Sequence, residues 1–322
     1  TATVDYFHEQ RDGIYMERNY LPGIVGVNTY PKANVGSVRS KGFDGNFAYK
    51  QKIGKVNLTV RGNFTYSKNE ILEKDEENAV YPYQKEAGYR VNQAKGLIAL
   101  GLFKDYDDIR NSPQQTNWGK VQPGDIKYKD VNGDGIINGS DEVAIGATTK
   151  PNLIYGFGIS AQWKGFDFSM FWQGVLKRDF DPGENSMVFW GTTGSGQWWS
   201  TSFKDHMDYF RAEDTASPLG ANVNAYYPRP LFNNKNHKTQ TAYLQNAAYM
   251  RLKNLQLGYT LPKSLINKIG LQNVRVYVSG ENLLTITGLS DTMDPETAGI
   301  GKQGGTVYPL SRVYSFGLSV NF

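Results

Sequence analysis

One loop of this sequence has the residue types and the spacing of a calcium site. Calcium takes about six to eight oxygen ligands from carboxylates, amides and backbone carbonyls, arranged around a sharp turn. Gly135 lies where such a turn needs a positive φ. The predicted ligands are the side chains of Asp130, Asn132, Asp134 and Asp141 and the backbone carbonyl of Ile136. We therefore expect a structural Ca²⁺ that stiffens this loop; the alternative is a cluster of Asx turns that forms without metal.

A second set of candidate binding residues is aromatic. Trp198, Trp199, Tyr226 and Tyr227 fall in stretches that are predicted to be exposed loops. Exposed aromatic side chains can stack on sugars or anchor a partner protein. We predict substrate or partner contacts for these four residues, and the alternative is that they pack a small core within their own loop.

The other polar residues do not form a recognisable catalytic arrangement. His8, His206 and His237 are scattered without the spacing of metal ligands, and the sequence contains no cysteine. It also has no G-x-S-x-G motif and no phosphate-binding loop. The net charge of +4 is dispersed rather than gathered into a basic stripe. We predict no enzymatic activity, no organic cofactor and no nucleic-acid partner.

The elements that position these residues are strands, because apolar and polar side chains alternate with a period of two. The clearest case is residues 56–67. No run of apolar residues approaches the roughly 18 that a membrane-spanning helix needs. Alternating segments occur at residues 2–6, 43–49, 56–66, 155–163, 166–172, 255–261, 274–278 and 314–322. If one face meets lipid, it should carry Phe64, Phe168, Trp172, Leu257, Val276 and Phe316, while Arg61, Asn63, Gln173, Gln256 and Arg275 should face water.

The connections between these segments alternate between long and short. Long connections are predicted at residues 10–40, 70–151, 176–246 and 288–309, and short ones at 52–55, 164–165 and 262–271. Compact soluble domains seldom contain such long loops, whereas outer-membrane barrels combine long extracellular loops with short periplasmic turns. We predict an all-β fold that forms the C-terminal portion, about eight strands, of a large antiparallel transmembrane β-barrel. The connections at residues 70–151 and 176–246 would be extracellular loops.

The last strand fits the C-terminal signal of outer-membrane proteins, which is polar-x-Gly-x-x-apolar-x-aromatic. Ser315, Gly317, Val320 and Phe322 occupy these positions, and we predict that they direct barrel assembly. The alternative is the closing strand of a soluble sandwich. Because alternation is already under way at Thr1, we expect residues 1–322 to be a segment of a longer protein, without its plug and N-terminal strands. Its first and last strands would then pair with the remainder of the same barrel.

Longer motifs carry a family resemblance. They are ATVDYF (2–7), GDIKYKDVNGDG (124–135), PNLIYGF (151–157), WKGFD (163–167), YMRLKNLQLGYTLP (249–262) and VRVYVSGENL (274–283). In this order the sequence resembles SusC-family TonB-dependent transporters essentially from end to end. The resemblance implies a barrel of about twenty-two strands in the outer membrane of a Gram-negative, Bacteroidetes-like bacterium.

The resemblance also implies a function and partners. The whole protein would import oligomeric nutrients, glycan oligomers ahead of peptides, with energy from the TonB complex acting through the plug. A SusD-like surface lipoprotein would cap the long loops, and outer-membrane lipid would surround the barrel. The alternative is a secreted, calcium-dependent, β-rich carbohydrate-binding protein, which would stay soluble without detergent.

Overall fold

A computed structural model describes residues 1–20, 23–26, 28–76, 79–184, 186–191, 202–231, 233, 235–266, 270–299 and 307–322. Within these residues, no helix has the length and hydropathy needed to span a membrane. The strands are β1 (Ala2–Glu17), β2 (Lys32–Ile53), β3 (Val56–Glu73), β4 (Lys95–Gly96), β5 (Ala99–Leu102), β6 (Ile126–Tyr128), β7 (Val143–Ala144), β8 (Leu153–Trp163), β9 (Phe166–Leu176), β10 (Asp179–Phe180), β11 (Gln245–Asn246), β12 (Tyr249–Thr260), β13 (Asn273–Thr287) and β14 (Val313–Asn321). The short helices are α1 (Tyr106–Arg110), α2 (Met187–Trp190) and α3 (Lys263–Ile266), with 3-10 turns at Gly23–Val25, Pro82–Gln84, Gly139–Asp141 and Lys204–Met207.

Eight long strands form one antiparallel sheet in the order β1-β2-β3-β8-β9-β12-β13-β14. Each of the eight segments that alternation predicted coincides with part of one of these strands, to within one residue at the ends, so the predicted all-β architecture is confirmed. β1 and β14 lie at opposite edges, and among the described residues they do not pair with each other. The sheet is therefore open, with backbone donors and acceptors available along both edges.

The predicted long connection at residues 10–40 is wrong. β1 continues to Glu17 and β2 begins at Lys32, so the connection is much shorter. The paired residues His8, Lys41 and Lys68 mark where the apolar side of the sheet becomes polar. Backbone pairing continues beyond this row although the apolar alternation does not, and alternation alone could not detect it.

The register places most of the large apolar side chains of the strands on one side of the sheet, which we call the apolar face. Phe7, Ile154 and Phe171 lie on the opposite side. The most exposed side chains of the apolar face are 43% to 75% exposed, and so large an apolar surface is unfavourable in water. Members of this face include Val4, Tyr6, Phe43, Phe47, Tyr49, Trp163, Phe166, Leu257, Val278, Phe316 and Leu318.

The opposite side of the sheet is the polar face. Arg61 lies opposite Gly158, and Gln256 lies between Ser169 and Ser279 on neighbouring strands. All residues predicted for the lipid side lie on the apolar face, and all those predicted for the water side lie on the polar face. The sheet thus separates two chemically different environments.

The buried core of the described residues lies mainly outside the sheet. The connections 74–152, 177–248 and 288–312 pack together, and we call them the loop assembly. The bounds of the first two agree within four residues with the predicted connections at 70–151 and 176–246. Their shared core contains Leu97, Ile126, Tyr128, Ile137, Phe180, Phe189, Trp190, Tyr243, Ala247, Leu289, Met293 and Ala298.

Candidate functional site

A trough runs across the polar face of the sheet and has a volume of about 730 Å³. Its wall combines amides and hydroxyls with one positive and one negative side chain, Arg61 and Glu281. Phe47 and Phe171 are its aromatic residues, and the ring of Phe171 lies against Gly156 and Gly158. The polar side chains are Asn46, Arg61, Asn63, Ser169, Asn254, Gln256, Ser279 and Glu281. Such a wall offers hydrogen-bond donors and acceptors of both signs to a water-soluble ligand.

A bidentate ion pair crosses the polar face near the short-turn end of the sheet. Arg275 donates from Nε to Asp167 Oδ1 at 2.9 Å and from Nη2 to Oδ2 at 2.5 Å. The guanidinium also lies over the Tyr277 ring, 4.7 Å from its centroid. Because β12 separates the two partner strands, this pair fixes side-chain positions across three strands.

Arg178, just after β9, holds parts of the loop assembly together. Its guanidinium donates to the carbonyl of Thr149 at 3.0 Å and to those of Pro295 and Ala298 at 2.6 Å each. These acceptors belong to the first and third loops, while Arg178 belongs to the second. One side chain therefore connects all three loops at the end of the sheet.

Arg251 on β12 anchors the third loop through a buried charge network. The guanidinium is almost fully buried and donates to Thr285, Glu296 and Asp294 at 2.7, 2.8 and 2.7 Å. Burial alone would raise the pKa of Asp294, but hydrogen bonds from Arg251 and the Glu296 N–H hold it below its ordinary value. The network keeps this part of the loop against the end of the sheet.

Asp125 connects the first and second loops. This carboxylate is 1% exposed and accepts from Lys235 Nζ at 2.6 Å and from Asn236 Nδ2 at 3.0 Å. The Asn236 carbonyl oxygen of the side chain accepts the backbone N–H of Ile126 at 3.1 Å. A buried charge of this kind is tolerated because it is both paired and hydrogen-bonded.

The loop at residues 130–141 is held by its own acidic side chains. Asp130 accepts the backbone N–H groups of Gly133 at 2.7 Å and Gly135 at 2.8 Å. Gly135 adopts φ of 81°, as the turn pattern predicted. Asp134 accepts the N–H of Ile136 at 2.8 Å. The contact between Asp134 and Ile136 is an Asx turn, and the three contacts together shape the loop.

Asp141 stabilises the same loop from within. It is fully buried, and its two oxygens accept the N–H groups of Val131 and Asn138, each at 2.8 Å. The predicted donors are all oxygens, which suits calcium in kind. Yet no cluster of three or more His, Asp or Glu side chains in the described part of the chain is arranged to hold a metal ion. The carboxylates have a turn-forming role in this loop, and the calcium site stays a prediction.

Two of the four predicted binding aromatics, Tyr226 and Tyr227, pack against the core of the loop assembly. The Tyr226 ring lies 4.9 Å from that of Tyr227 and 5.3 Å from that of Tyr243. Tyr227 also contacts Phe189, and burial raises the pKa of its hydroxyl. Tyr226 keeps 44% of its surface exposed, while its hydroxyl accepts a hydrogen bond from Gln245. Both rings pack within the loop assembly, and contact with a substrate or partner stays a prediction.

Trp198 and Trp199 lie outside the described residues. His237 stacks on Trp190 with a ring separation of 4.0 Å. Burial lowers the pKa of His237 to about 4, so the imidazole is neutral in its aromatic surroundings at neutral pH.

The predicted assembly signal lies on the edge strand β14. Ser315 and Gly317 are on the polar face, opposite Ser279 and Tyr277, and Val320 is opposite Val274. The ring of Tyr277 covers Gly317 so closely that any added Cβ would overlap it. Phe322 follows the strand and is 85% exposed. Packing against Tyr277 thus explains the glycine, and the role of the four residues in assembly stays a prediction.

Sequence reasoning missed three of these side chains. Arg178 follows a strand, Arg251 lies on one and Asp125 precedes one, and the motifs that include Arg251 and Asp125 indicate a family resemblance but no contact. Their partners are between 29 and 120 residues away along the chain. A sheet register was needed before such contacts could be found.

The chain is similar in sequence to known receptors. It is 29% identical to TonB-dependent receptor P3 and 26% identical to TonB-dependent receptor P26, both from Formosa agariphila. The alignments cover 99% and 100% of this chain but 32% of each relative, so the chain spans about a third of their length. No protein-family model matches.

A solved structure shares the fold. The structure of the RagAB peptide transporter superposes with a TM-score of 0.70 at 23% sequence identity. The match covers 100% of this chain and 33% of that chain. The eight-stranded sheet therefore has the architecture of part of a TonB-dependent transporter barrel.

Proposed function

We propose that this chain is a β-barrel segment of a TonB-dependent receptor and that the whole protein imports oligomeric nutrients across a bacterial outer membrane. The remainder of the same barrel pairs with the free edges of β1 and β14. The chain provides part of the barrel wall and its long loops, and it carries out no bond chemistry.

The observation that carries this proposal is the division between the two faces of the sheet. Apolar side chains that are 43% to 75% exposed need a surrounding that is not water, and lipid supplies it. The polar face carries a trough of about 730 Å³, which suits a water-filled lumen. A soluble sandwich would instead cover its apolar face with a second sheet.

The side chains that line the trough indicate which class of substrate it suits. Arg61 and Glu281 offer charges of opposite sign, and amides and hydroxyls surround them. This combination favours an oligomer that is uncharged or carries both charges, which includes neutral glycan oligomers and peptides. The family resemblance favours glycan oligomers, whereas the solved neighbour is a peptide transporter. We therefore propose oligomeric nutrients as the substrate class, and glycan oligomers are the first substrates to test.

Two partners belong to the proposal. A SusD-like lipoprotein at the cell surface would meet the loop assembly, which forms a packed platform at one end of the sheet. The TonB complex would act from the periplasm through the plug of the complete protein. The support for the lipoprotein is the likeness to a two-component transporter, together with the shared core of the three loops.

The test is uptake by cells. The gene for the complete receptor is deleted and then restored, and cells are supplied separately with fluorescent neutral glycan oligomers and peptides. We expect restored uptake of one class, its loss when a protonophore collapses the proton-motive force, and recovery of the receptor in the outer-membrane fraction. A receptor that is released into the medium and stays soluble without detergent would overturn the proposal in favour of a secreted binding protein.

A further inference from the structure

Two adjacent rows of side chains cross β1, β2 and β3 on the apolar face. In the first row, Tyr6 pairs with Phe43, which pairs with Tyr66. Two residues further along each strand, toward the long loops, His8 pairs with Lys41, which pairs with Lys68. An aromatic row is thus followed directly by a basic row.

The position of these rows matches one border of a bilayer. A second aromatic row, Trp163, Phe166 and Tyr259, lies at the short-turn end of the same face. Trp163 pairs with Val56, ten residues before Tyr66 on β3. At about 3.3 Å per residue and a strand tilt of about 40°, ten residues span roughly 25 Å across the membrane. This matches the apolar band of outer-membrane barrels, so the basic row lies at the headgroup level on the long-loop side.

The basic row has no counter-ion of its own. His8, Lys41 and Lys68 are exposed, and neither ammonium group forms an ion pair with a described residue. The next row toward the loops differs, because Arg39 there donates to Glu70 at 2.8 Å. Glu70 also attracts Lys41 and Lys68, but it forms its ion pair with Arg39, so the two lysines keep an unpaired positive charge.

We propose that His8, Lys41 and Lys68 bind the phosphate group of an anionic lipid in the leaflet on the long-loop side. This inference rests on the proposed membrane location. Neighbouring strands lie about 4.8 Å apart, so adjacent side chains of the row can reach oxygens of one headgroup. The aromatic row beneath it contacts the upper acyl chain, as interfacial aromatic rings do. Basic residues next to a membrane attract anionic lipids, and each contributes about fivefold in affinity.

The test uses the complete receptor, purified in a neutral detergent. Native mass spectrometry measures binding of monophosphoryl lipid A and of the same lipid after its phosphate is removed. The variant is Lys41→Gln with Lys68→Gln, and the matched control is Lys52→Gln with Lys55→Gln in the hairpin at the opposite end. We expect roughly 30-fold weaker binding of the phosphorylated lipid by the first variant and less than twofold change in the control. Binding of the dephosphorylated lipid should be weak and equal in all three proteins.

Several results would overturn the inference. One is equal binding of the phosphorylated lipid by the wild type and both variants. Another is displacement of that lipid by millimolar inorganic phosphate, which would indicate a general anion site. Membrane fractionation of each variant is carried out in parallel. If the receptor reaches the outer membrane but shows no phosphate-dependent lipid binding, the lipid site is contradicted and the proposed function is not. A receptor absent from the membrane contradicts the proposed function.

Discussion

Apolar side chains are exposed on one face of the eight-stranded sheet, whereas in the loop assembly they are buried. On the sheet, Phe316 and Val4 are 75% and 63% exposed, and their neighbours on the apolar face are similar. In the loop assembly, Phe189 and Tyr128 are each 1% exposed. The loops fold around a core as a water-soluble domain does, whereas the sheet needs an apolar surrounding. One chain thus contains parts that are adapted to two solvents.

A cavity in the core of the loop assembly should have the largest effect on stability, and that effect should be confined to the loop assembly. Phe189 contacts the rings of Trp190, Tyr227 and Tyr243. We expect Phe189→Ala to cost the loop assembly about 3–5 kcal/mol, because a buried aromatic side chain is lost. Hydrogen exchange should quicken in residues 74–152 and 202–231 but not in β8 or β9. Phe203→Ala, at a 43% exposed position, is the control; equal effects of the two variants would contradict a shared core.

The corresponding change in the sheet is a charge on the apolar face. Ile159 lies midway along β8 on this face, and Ser160 lies next to it on the polar face. Ile159→Arg should reduce barrel stability by about 2–4 kcal/mol, because the charge would meet the middle of the bilayer. Denaturant unfolding in lipid vesicles measures the difference. Ser160→Arg should change stability far less, and the reverse order would mean that the faces are assigned the wrong way round.

Acid should weaken the loop assembly before the sheet. The pKa of His237 is lowered to about 4 by burial, below the ordinary value of about 6.5. Above a pH of about 6.5, His237 is neutral in both the folded and the unfolded chain, and its burial is fully tolerated. As the pH falls toward about 4, the histidine of the unfolded chain gains a proton that the buried side chain does not, so the folded state loses stability. The loss between pH 6.5 and 4 should reach about 3 kcal/mol. Loop hydrogen exchange at these pH values tests it; His237→Gln should flatten the pH dependence, while His8→Gln on the exposed side of β1 should preserve it.

The smallest expected effect concerns the loop at residues 130–141. If calcium binds, a chelator should loosen residues 124–145 without unfolding the sheet, and Asp134→Ala should remove the response. If the carboxylate only forms turns, Asp134→Ala costs about 1 kcal/mol through lost hydrogen bonds, and chelation has no effect. Isothermal titration with Ca²⁺ and hydrogen exchange with and without chelator distinguish these results. No heat of binding would contradict the calcium prediction.

The contrast between the regions also explains what sequence reasoning could find. A strand with lipid on one side and water on the other alternates strictly, so Val60, Phe64 and their neighbours could be assigned to one face. This signal ends at His8, Lys41 and Lys68, where the apolar face becomes polar, and the upper parts of β1 and β2 were missed for that reason.

The loop core could not be predicted in the same way. Its members have no period along the chain, and contacts such as that of Ile126 with Asn236 join residues 110 positions apart. The acidic motif at residues 130–141 was visible because it is local. Its spacing predicted the positive φ of Gly135, but spacing could not show that Asp141 would be buried with both oxygens bound to backbone N–H groups.

The central claim is that lipid covers one face of the sheet and water the other. The most direct test substitutes cysteine singly at residues 57–65 of β3 in the membrane-embedded receptor, after replacement of any cysteine outside residues 1–322, which themselves contain none. A nitroxide is attached at each position, and its collisions with oxygen and with a water-soluble nickel complex are compared. We predict a period of two, with oxygen favoured at 58, 60, 62 and 64 and the nickel complex favoured at 57, 59, 61, 63 and 65. Equal access at all nine positions, or the opposite phase, would contradict the account.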